Sequence, residues 1–316
     1  MRCLVVGARG FVGVDLVREL LDRGHEVVAL EIRGDMGRLT PYADRITWLT
    51  GDSSSIETLQ KAIGPAGIDA IYYGPFFRSP AGSHDLTGEW ATMGGGALNV
   101  FNLCRALPIK RIVFPSSTAV HGIQPADGVT LDETSRVQPF MIYGATKLLC
   151  EYFARQVNAD LGEKRIVSVR LSAIYGPGAD IASRGVNIFA VQGARGNPAQ
   201  IDYAPGARVC VAHVADTARF LADLIEAERC EHDLYELGGL DVSFGDIADA
   251  VRAAVPGAEL GFGNETEVPL PHNVSCARAA SEFGLSHMPL IDGMRSVVDY
   301  ERIRGERRRQ TASQTA

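Results

Sequence analysis

Tyr143 and Lys147, spaced four residues apart, open a long helical pattern that runs on to Val157. Residues i and i+4 share one face of a helix, so the phenol and the ammonium point into the same space. A phenol with an ordinary pKa of about 10 is a poor base at neutral pH, but a neighbouring cation favours the phenolate. The pair therefore predicts proton transfer to or from a bound substrate.

A glycine-rich turn near the start of the chain predicts a phosphate-binding loop. Gly7, Gly10 and Gly13 follow an apolar strand, Arg2–Val6, and precede an amphipathic helix that reaches about Arg23. Glycines in such a turn let the backbone approach a pyrophosphate, which then lies at the positive end of the helix.

The second predicted strand, Glu26–Leu30, strengthens this interpretation, because an acidic residue, Glu31, follows it directly. An acidic side chain about 20 residues beyond the glycines binds the ribose hydroxyls of a dinucleotide. The first 31 residues therefore predict a dinucleotide site.

Apolar strands then alternate with helical patterns: Ile46–Leu49, Ala70–Tyr73, Arg111–Phe114 and Arg165–Leu171. This alternation predicts an α/β fold, a Rossmann-type doubly wound parallel sheet with right-handed crossovers. Ligands of such a sheet bind beyond the carboxyl ends of its strands, where Gly51-Asp52, Gly74-Pro75 and Ser116-Ser117 fall.

Past about Gly176 the alternation loosens, which predicts a smaller C-terminal substrate lobe. We expect a dinucleotide-binding domain over 1–175, partly completed by later segments, a substrate-binding lobe over 176–305 and a polar tail over 306–316. Within the lobe, Ser243 followed by Asp246 predicts a capping box for a helix over Phe244–Ala254.

Composition excludes several other classes of protein. The 316 residues are 46% hydrophobic and 22% charged, with a net charge of -7, and the body of the chain has no basic cluster of the kind that binds nucleic acid. No apolar run is long enough to span a membrane, and because Met1 leads almost directly into the first strand, we expect no signal peptide. Six widely spread cysteines without a Cys-x-x-Cys pair predict reduced thiols in a cytoplasm and no metal site.

Several further motifs accompany the glycine turn and the Tyr143 helix: Pro115-Ser116-Ser117-Thr118-Ala119-Val120-His121-Gly122, Arg170 through Tyr175-Gly176-Pro177, and His213-Val214-Ala215-Asp216. With these motifs, the chain resembles the extended short-chain dehydrogenase/reductases, the NAD-dependent epimerase/dehydratase family, over nearly its whole length.

The resemblance implies a catalytic set of Ser117, Tyr143 and Lys147, in which Tyr143 is the acid/base and Ser117 binds the reacting oxygen. It implies NAD as the cofactor, although Arg33 close to Glu31 leaves NADP possible. The cofactor-binding residues expected from the motifs and the resemblance are Gly7, Gly10, Phe11, Val12, Gly13, Glu31, Arg33, Asp52, Ser53, Gly74, Pro75, Arg78, Tyr143 and Lys147.

Departures from the family pattern bear on the substrate. Family members that act on nucleotide-activated sugars carry arginines that neutralise the diphosphate. Here Arg208 is one residue out of register with the first such position, and no Lys or Arg occurs between Arg252 and Arg278. Thr118, His121 and Asn187 are further substrate candidates, with Asn187 retained where sugar-nucleotide enzymes touch the diphosphate or base.

These features predict an NAD-dependent oxidoreductase that transfers hydride between nicotinamide and a secondary alcohol or ketone of a small polar substrate, such as a hydroxy acid, polyol or amino alcohol. One alternative is a nucleotide-sugar epimerase that retains bound NAD, and another is a non-catalytic NAD(P)-sensing regulator. We also expect a homodimer, because the helical patterns Asp85–Ala106 and Tyr143–Leu161 carry more apolar residues than one sheet-facing stripe requires.

Overall fold

The structure, a computed structural model, describes residues 1–77, 85–124, 128–179 and 185–314. Its strands, in chain order, are β1 (Arg2–Val6), β2 (Glu26–Glu31), β3 (Ile46–Thr50), β4 (Ala70–Tyr73), β5 (Arg111–Ser117), β6 (Ile166–Leu171), β7 (Ala173–Tyr175), β8 (Ala199–Gln200), β9 (Arg208–His213), β10 (Leu234–Glu236), β11 (Leu240–Ser243) and β12 (Leu260–Gly261). Its α-helices are α1 (Phe11–Asp22), α2 (Ile56–Ile63), α3 (Leu86–Glu89), α4 (Gly96–Ala106), α5 (Ile142–Leu161), α6 (Ile188–Ala194), α7 (Val214–Glu226), α8 (Phe244–Ala254), α9 (Ala277–Phe283) and α10 (Leu290–Gln314).

Seven parallel strands form the main sheet in the order β10-β6-β5-β4-β1-β2-β3. The order reverses between β1 and β4, so the crevice at the carboxyl ends of these strands is the expected ligand site of a doubly wound sheet. The predicted fold class is confirmed.

Helices cover both faces of this sheet. Alternate residues of a strand point to opposite sides, so successive residues pack into different helical layers. Cys3 and Val5 pack into the cluster shared with α1 and α7, whereas Leu4 and Val6 pack into the cluster shared with α2, α4 and α5. The near-continuous apolar strands seen in the sequence are the consequence of this double coverage.

The smaller lobe has its own core around α6, α8 and α10, with Phe189, Phe244 and Met294 at 0% exposure. A three-stranded sheet, β11-β9-β7, contributes its inner side to this core. β10, a late segment of the chain, pairs with β6 at the edge of the main sheet. Ser243 and Asp246 form the predicted capping box of α8.

Two helices differ from the sequence expectation. The pattern over Asp85–Ala106 is interrupted by a π-helical turn at Trp90–Gly95, between α3 and α4. In addition, α10 continues as far as Gln314, so the backbone of the proposed polar tail is helical over most of its length. In the described ranges, no helix combines the length and apolarity needed to cross a membrane.

Candidate active site

A cleft of about 560 Å³ lies at the carboxyl ends of the strands, a volume typical of small-molecule sites. It joins the two features from which the sequence argument began, the glycine turn and the start of α5. The expected cofactor and catalytic residues that line it are Gly7, Gly10, Phe11, Val12, Gly13, Glu31, Arg33, Asp52, Ser53, Gly74, Pro75, Tyr143 and Lys147.

The glycine turn is packed so closely that side chains are excluded. A β-carbon on Gly7, whose φ is +82°, would lie 2.8 Å from the carbonyl oxygen of Gly74, and one on Gly13 would lie 2.1 Å from the carbonyl oxygen of Gly7. α1 begins at Phe11 with no side-chain cap and no acidic residue in its first turn, and Phe11, Val12 and Gly13 line the cleft, so the positive end of the helix lies at the cleft. This backbone cradle fits a dinucleotide pyrophosphate.

Acidic and basic groups border the cleft beyond the glycine turn. The carboxylate of Glu31 accepts a hydrogen bond of 2.7 Å from the backbone N–H of Arg9. Burial raises the pKa of Glu31, and the Arg9 amide acts in the opposite direction. The Arg9 guanidinium pairs with Asp35, while Arg33 is exposed beside Glu31. A carboxylate held in this way fits the ribose hydroxyls of a bound dinucleotide.

Lys147 occupies the opposite end of the cleft, one turn along α5 from Tyr143. It is 5% exposed, its Nζ donates a hydrogen bond of 2.7 Å to the carbonyl oxygen of Pro115, and this Nζ lies 5.7 Å from the centre of the Tyr143 ring. Burial lowers the pKa of Lys147 from its usual value to about 8. A pKa that stays above neutral pH leaves Lys147 mainly protonated there, so a cation lies beside the phenol.

The two serines at the end of β5 have different surroundings. Ser116 lines the cleft and donates to the carboxylate of Glu151 at 2.5 Å. Ser117, the expected catalytic serine, is 8% exposed, and its Oγ accepts a hydrogen bond of 3.2 Å from the backbone N–H of Ala119. A hydroxyl that accepts in this way keeps its own proton for another acceptor. The start of α5 packs on the same turn, since a β-carbon on Gly144 would lie 2.6 Å from the carbonyl oxygen of Ala119.

A buried ionic network lies behind Ser116. Arg170 donates to both carboxylate oxygens of Glu151, at 2.9 and 2.8 Å, and to Glu236 at 3.0 Å. His121 Nε2 lies 2.7 Å from the same Glu236 oxygen, Oε1. The four side chains are between 0 and 3% exposed, so the Arg170 guanidinium and the two carboxylates depend on their partners, and not on water, for solvation. The network therefore holds the ends of β5, β6 and β10 together beneath the cleft.

The expected substrate residues do not line the described cleft. Thr118 is buried in the turn after β5, His121 belongs to the ionic network, and Asn187 is fully buried with its Oδ1 accepting from the Gly176 amide at 3.2 Å. Arg208 pairs with Asp241 at 2.8 Å on a partly exposed strand end. Arg78, an expected cofactor residue, lies outside the described residues.

The cleft also includes Ser116, which the sequence placed at a ligand-binding strand end without a role, and residues that the sequence did not indicate: Arg9, Tyr72, Phe76, Phe77, Thr92 and Leu171. Tyr72 and Leu171 lie at or near the carboxyl ends of β4 and β6, and this position in a parallel sheet could have indicated them. Thr92 lies in the π-helical turn, which no sequence pattern indicated.

Comparison with known proteins agrees with this geometry. The family described as "NAD dependent epimerase/dehydratase family" matches residues 3–238. The chain belongs to this family. A family defined by NAD dependence confirms the expected cofactor and the enzymatic class.

Individual relatives of this family member are more distant. A 2-alkyl-3-oxoalkanoate reductase of Stenotrophomonas maltophilia is 31% identical over 56% of this chain and 52% of its own length. A 3-beta-hydroxysteroid dehydrogenase of Mycolicibacterium neoaurum is 30% identical over 56% of this chain and 48% of its own. The chain thus spans about half the length of these curated relatives. The structure of UDP-glucose 4-epimerase from Thermus thermophilus in complex with NAD aligns with a TM-score of 0.82, over 96% of this chain and 99% of that one. The two sequences are 23% identical, so this match shows the shared fold alone.

Proposed function

We propose that this protein is an NAD-dependent dehydrogenase or reductase that interconverts a secondary alcohol and a ketone. The carrying observation is that Tyr143 and Lys147 line the same cleft as the glycine turn, with Lys147 buried as a cation beside the phenol. The names of two relatives, a 3-oxoalkanoate reductase and a hydroxysteroid dehydrogenase, support the same type of reaction.

A dinucleotide held by the glycine turn and Glu31 would supply the hydride chemistry of the proposed reaction, and the other roles belong to residues of this chain. The Tyr143 hydroxyl gives its proton to the carbonyl oxygen as the C–O bond becomes single, and in the oxidation it takes the proton back. The Ser117 hydroxyl donates a hydrogen bond to the same oxygen. Lys147 stabilises the phenolate left on Tyr143 and orients the ribose next to the reacting ring.

The arrangement of basic residues supports a net redox reaction over epimerisation of a nucleotide sugar. Arg208, the nearest candidate for a diphosphate contact, is engaged by Asp241, and the sequence has no Lys or Arg between Arg252 and Arg278. A diphosphate is ordinarily recognised by arginine in bidentate geometry.

The test is to supply NAD or NADH with secondary alcohols, hydroxy acids, polyols, amino alcohols and ketones, and to follow the nicotinamide absorbance. Net, substrate-dependent formation or loss of NADH is the expected result. Nucleotide sugars are the comparison set in the same assay. If UDP-glucose is converted to its epimer with no net change in NADH, the epimerase alternative replaces this proposal.

A homodimer built on α5 and the helix ahead of α4 is proposed for assembly. Ile142, Leu149 and Tyr152 form one exposed stripe of α5, at 57, 40 and 52% exposure, and Leu86 and Trp90 are exposed at 54 and 40%. Five large apolar side chains on neighbouring helices are a surface typical of protein interfaces. Light scattering is expected to give twice the chain mass of 33.9 kDa, and Leu149→Lys with Tyr152→Lys should return it to a single chain.

A cytoplasmic location is proposed from the cysteines. All six are free thiols, and Cys276 alone among them is more than slightly exposed. Thiols maintained in this state are typical of a reducing compartment. Fractionation of cells that express the full chain is the direct measurement.

A further inference from the structure

Charged side chains are distributed unevenly along the cleft. Among the described lining residues, Arg9 belongs to the glycine turn, Glu31 ends β2, and Arg33 and Asp52 follow β2 and β3. Those strands lie three and four positions from β5 in the sheet, or about 14 Å and more. The one charged lining residue at the other end, Lys147, is buried and bonded to a backbone carbonyl.

The catalytic end is bordered by an exposed aromatic side chain instead. Phe76, two residues after Gly74, is 64% exposed, and its ring meets the ring of Tyr143 edge to face, with 5.8 Å between centroids. Phe77, the next residue along the chain, and Leu171 also line the cleft. An exposed apolar ring in direct contact with the acid/base side chain is a surface that a substrate can cover.

Two more exposed apolar side chains, Phe140 and Ile123, lie in the segments before α5. Phe140, three residues before Tyr143, is 52% exposed and packs against the turn after β5, since a β-carbon on Gly122 would lie 3.8 Å from its Cδ1. Ile123 in the same turn is 50% exposed. Three residues span at most about 10 Å, so the Cα atoms of Phe140 and Tyr143 lie no farther apart than this. Phe140 and Ile123 do not line the described cleft itself, whereas Phe76 and Tyr143 do.

We propose that the substrate carries an alkyl or ring substituent on its reacting carbon, and that this substituent packs on Phe76, with Phe140 and Ile123 on its outer side. The inference rests on the proposed alcohol–ketone reaction and names its substrate class: secondary alcohols and ketones with an apolar group at the reacting centre. Covering the Phe76 ring removes apolar surface of both partners from water. Each added methylene that reaches the ring should raise affinity by about 4-fold.

The experiment uses unbranched methyl ketones, from butanone to octanone, with the full-length protein saturated with NADH. kcat/KM should rise by about 3- to 4-fold per methylene, mainly through KM, because the contact is equal in the ground and transition states. Phe76→Ala should flatten this dependence, and Phe76→Leu should restore most of it. Ile303→Ala, which removes a 51% exposed apolar side chain on α10, is the matched control and should leave the dependence unchanged.

Binding of the same ketones to the NAD-saturated protein, measured as thermal stabilisation, separates this inference from the proposed reaction. A chain-length dependence that Phe76→Ala removes supports the apolar subsite even if no ketone is reduced, a result that would reject the reaction alone. Equal stabilisation by all chain lengths, or a dependence that Phe76→Ala preserves, overturns the subsite even if the ketones are reduced.

Discussion

The two ends of the cleft are built from different parts of the polypeptide. At the nucleotide end, the groups expected to contact the cofactor are backbone atoms of the turn from Gly7 to Gly13 and the amides that open α1. At the catalytic end they are the side chains of Tyr143 and Lys147, held against the end of β5. The first end depends on local chain conformation, and the second depends on the packing of distant segments.

This difference bears on what each end can change. A backbone cradle admits few substitutions, because a β-carbon at Gly7 or Gly13 collides with main-chain atoms. The apolar side chains around Tyr143, such as Phe76, are exposed and can be replaced without rebuilding the sheet. Cofactor use is therefore expected to be the more constant property, and substrate choice the more variable one.

Replacement of Lys147 is expected to have the largest effect, a change in how the free energy of unfolding depends on pH, because this side chain buries a positive charge in the cleft. Its folded pKa of about 8 lies below the usual value of 10.5, so the folded state releases the proton first. The burial penalty is complete below pH 8 and is relieved as the pH rises to 10.5. Wild type should therefore gain about 3 kcal/mol over Lys147→Met across this interval.

Denaturant unfolding of both proteins without cofactor, at steps between pH 7 and 10.5, provides the measurement. Thiols such as Cys210, whose pKa burial raises to about 12, lower the stability of both proteins above pH 9, and the difference between the two cancels this common loss. A difference that does not vary with pH would contradict a buried, destabilised cation at the catalytic end.

Tyr143→Phe tests whether the two ends are separable in function. Removing the hydroxyl should lower kcat by about 10²-fold or more, the scale of a lost general acid/base. Affinity for NAD should stay within about 2-fold, because the glycine turn and Glu31 remain. Single-turnover kinetics and calorimetric NAD binding check both halves. Turnover at the native rate would remove Tyr143 from the chemistry.

How much could be predicted from the sequence follows the same division. The strand Ala70–Tyr73 and the helix Phe244–Ala254 have the predicted bounds, because apolar periodicity and the Ser243 capping box act locally. The residues expected at the nucleotide end, from Gly7 to Ser53, line the cleft, and their contacts with a cofactor stay predictions. The assigned substrate residues, in contrast, remain predictions that the described cleft does not include.

Tertiary partners account for what was missed. Arg170 and Glu236 are 66 positions apart, so nothing in local sequence indicates that they form one buried network with His121. The π-helical turn was also not indicated, because its carbonyls are engaged from other elements: the Tyr73 hydroxyl donates to Thr92 at 2.7 Å. Helical periodicity in the sequence reports neither the Arg170–Glu236 pair nor the Tyr73–Thr92 hydrogen bond, because both join distant segments.

Gly7→Ala tests the cradle at the nucleotide end. Alanine at this position would have to adopt the left-handed backbone conformation of Gly7, with φ +82°. Its β-carbon would also lie 2.8 Å from the carbonyl oxygen of Gly74. Backbone strain of this kind costs about 1–3 kcal/mol, and the loop must move to relieve the contact with Gly74. Because the moved loop no longer fits the pyrophosphate, we expect the dissociation constant for NAD to rise by about 10-fold.

Gly24→Ala is the matched control, because Gly24 has φ +81° and no heavy atom within 4 Å of a new β-carbon. It should lose stability through backbone strain alone and keep its NAD affinity. Calorimetric titration with NAD, together with thermal unfolding of each variant, distinguishes the two. An equal loss of affinity in both would mean that the close packing of the glycine turn has no part in binding.

Glu31→Gln is expected to have the smallest effect, because the side chain keeps an oxygen that can accept the Arg9 amide and loses only its charge. The carboxylate favours the ribose hydroxyls and repels a 2′-phosphate, while Arg33 stands exposed beside it. The ratio of NADP to NAD affinity should therefore rise by about 3- to 10-fold, mainly through NADP. Glu26→Gln, which removes an exposed carboxylate paired with Arg2 at the far end of the same strand, should leave the ratio as it is. If wild type already binds NADP more tightly than NAD, the basic side chains at this end outweigh Glu31, and the nucleotide end selects its cofactor by charge and not by its hydrogen bonds to ribose.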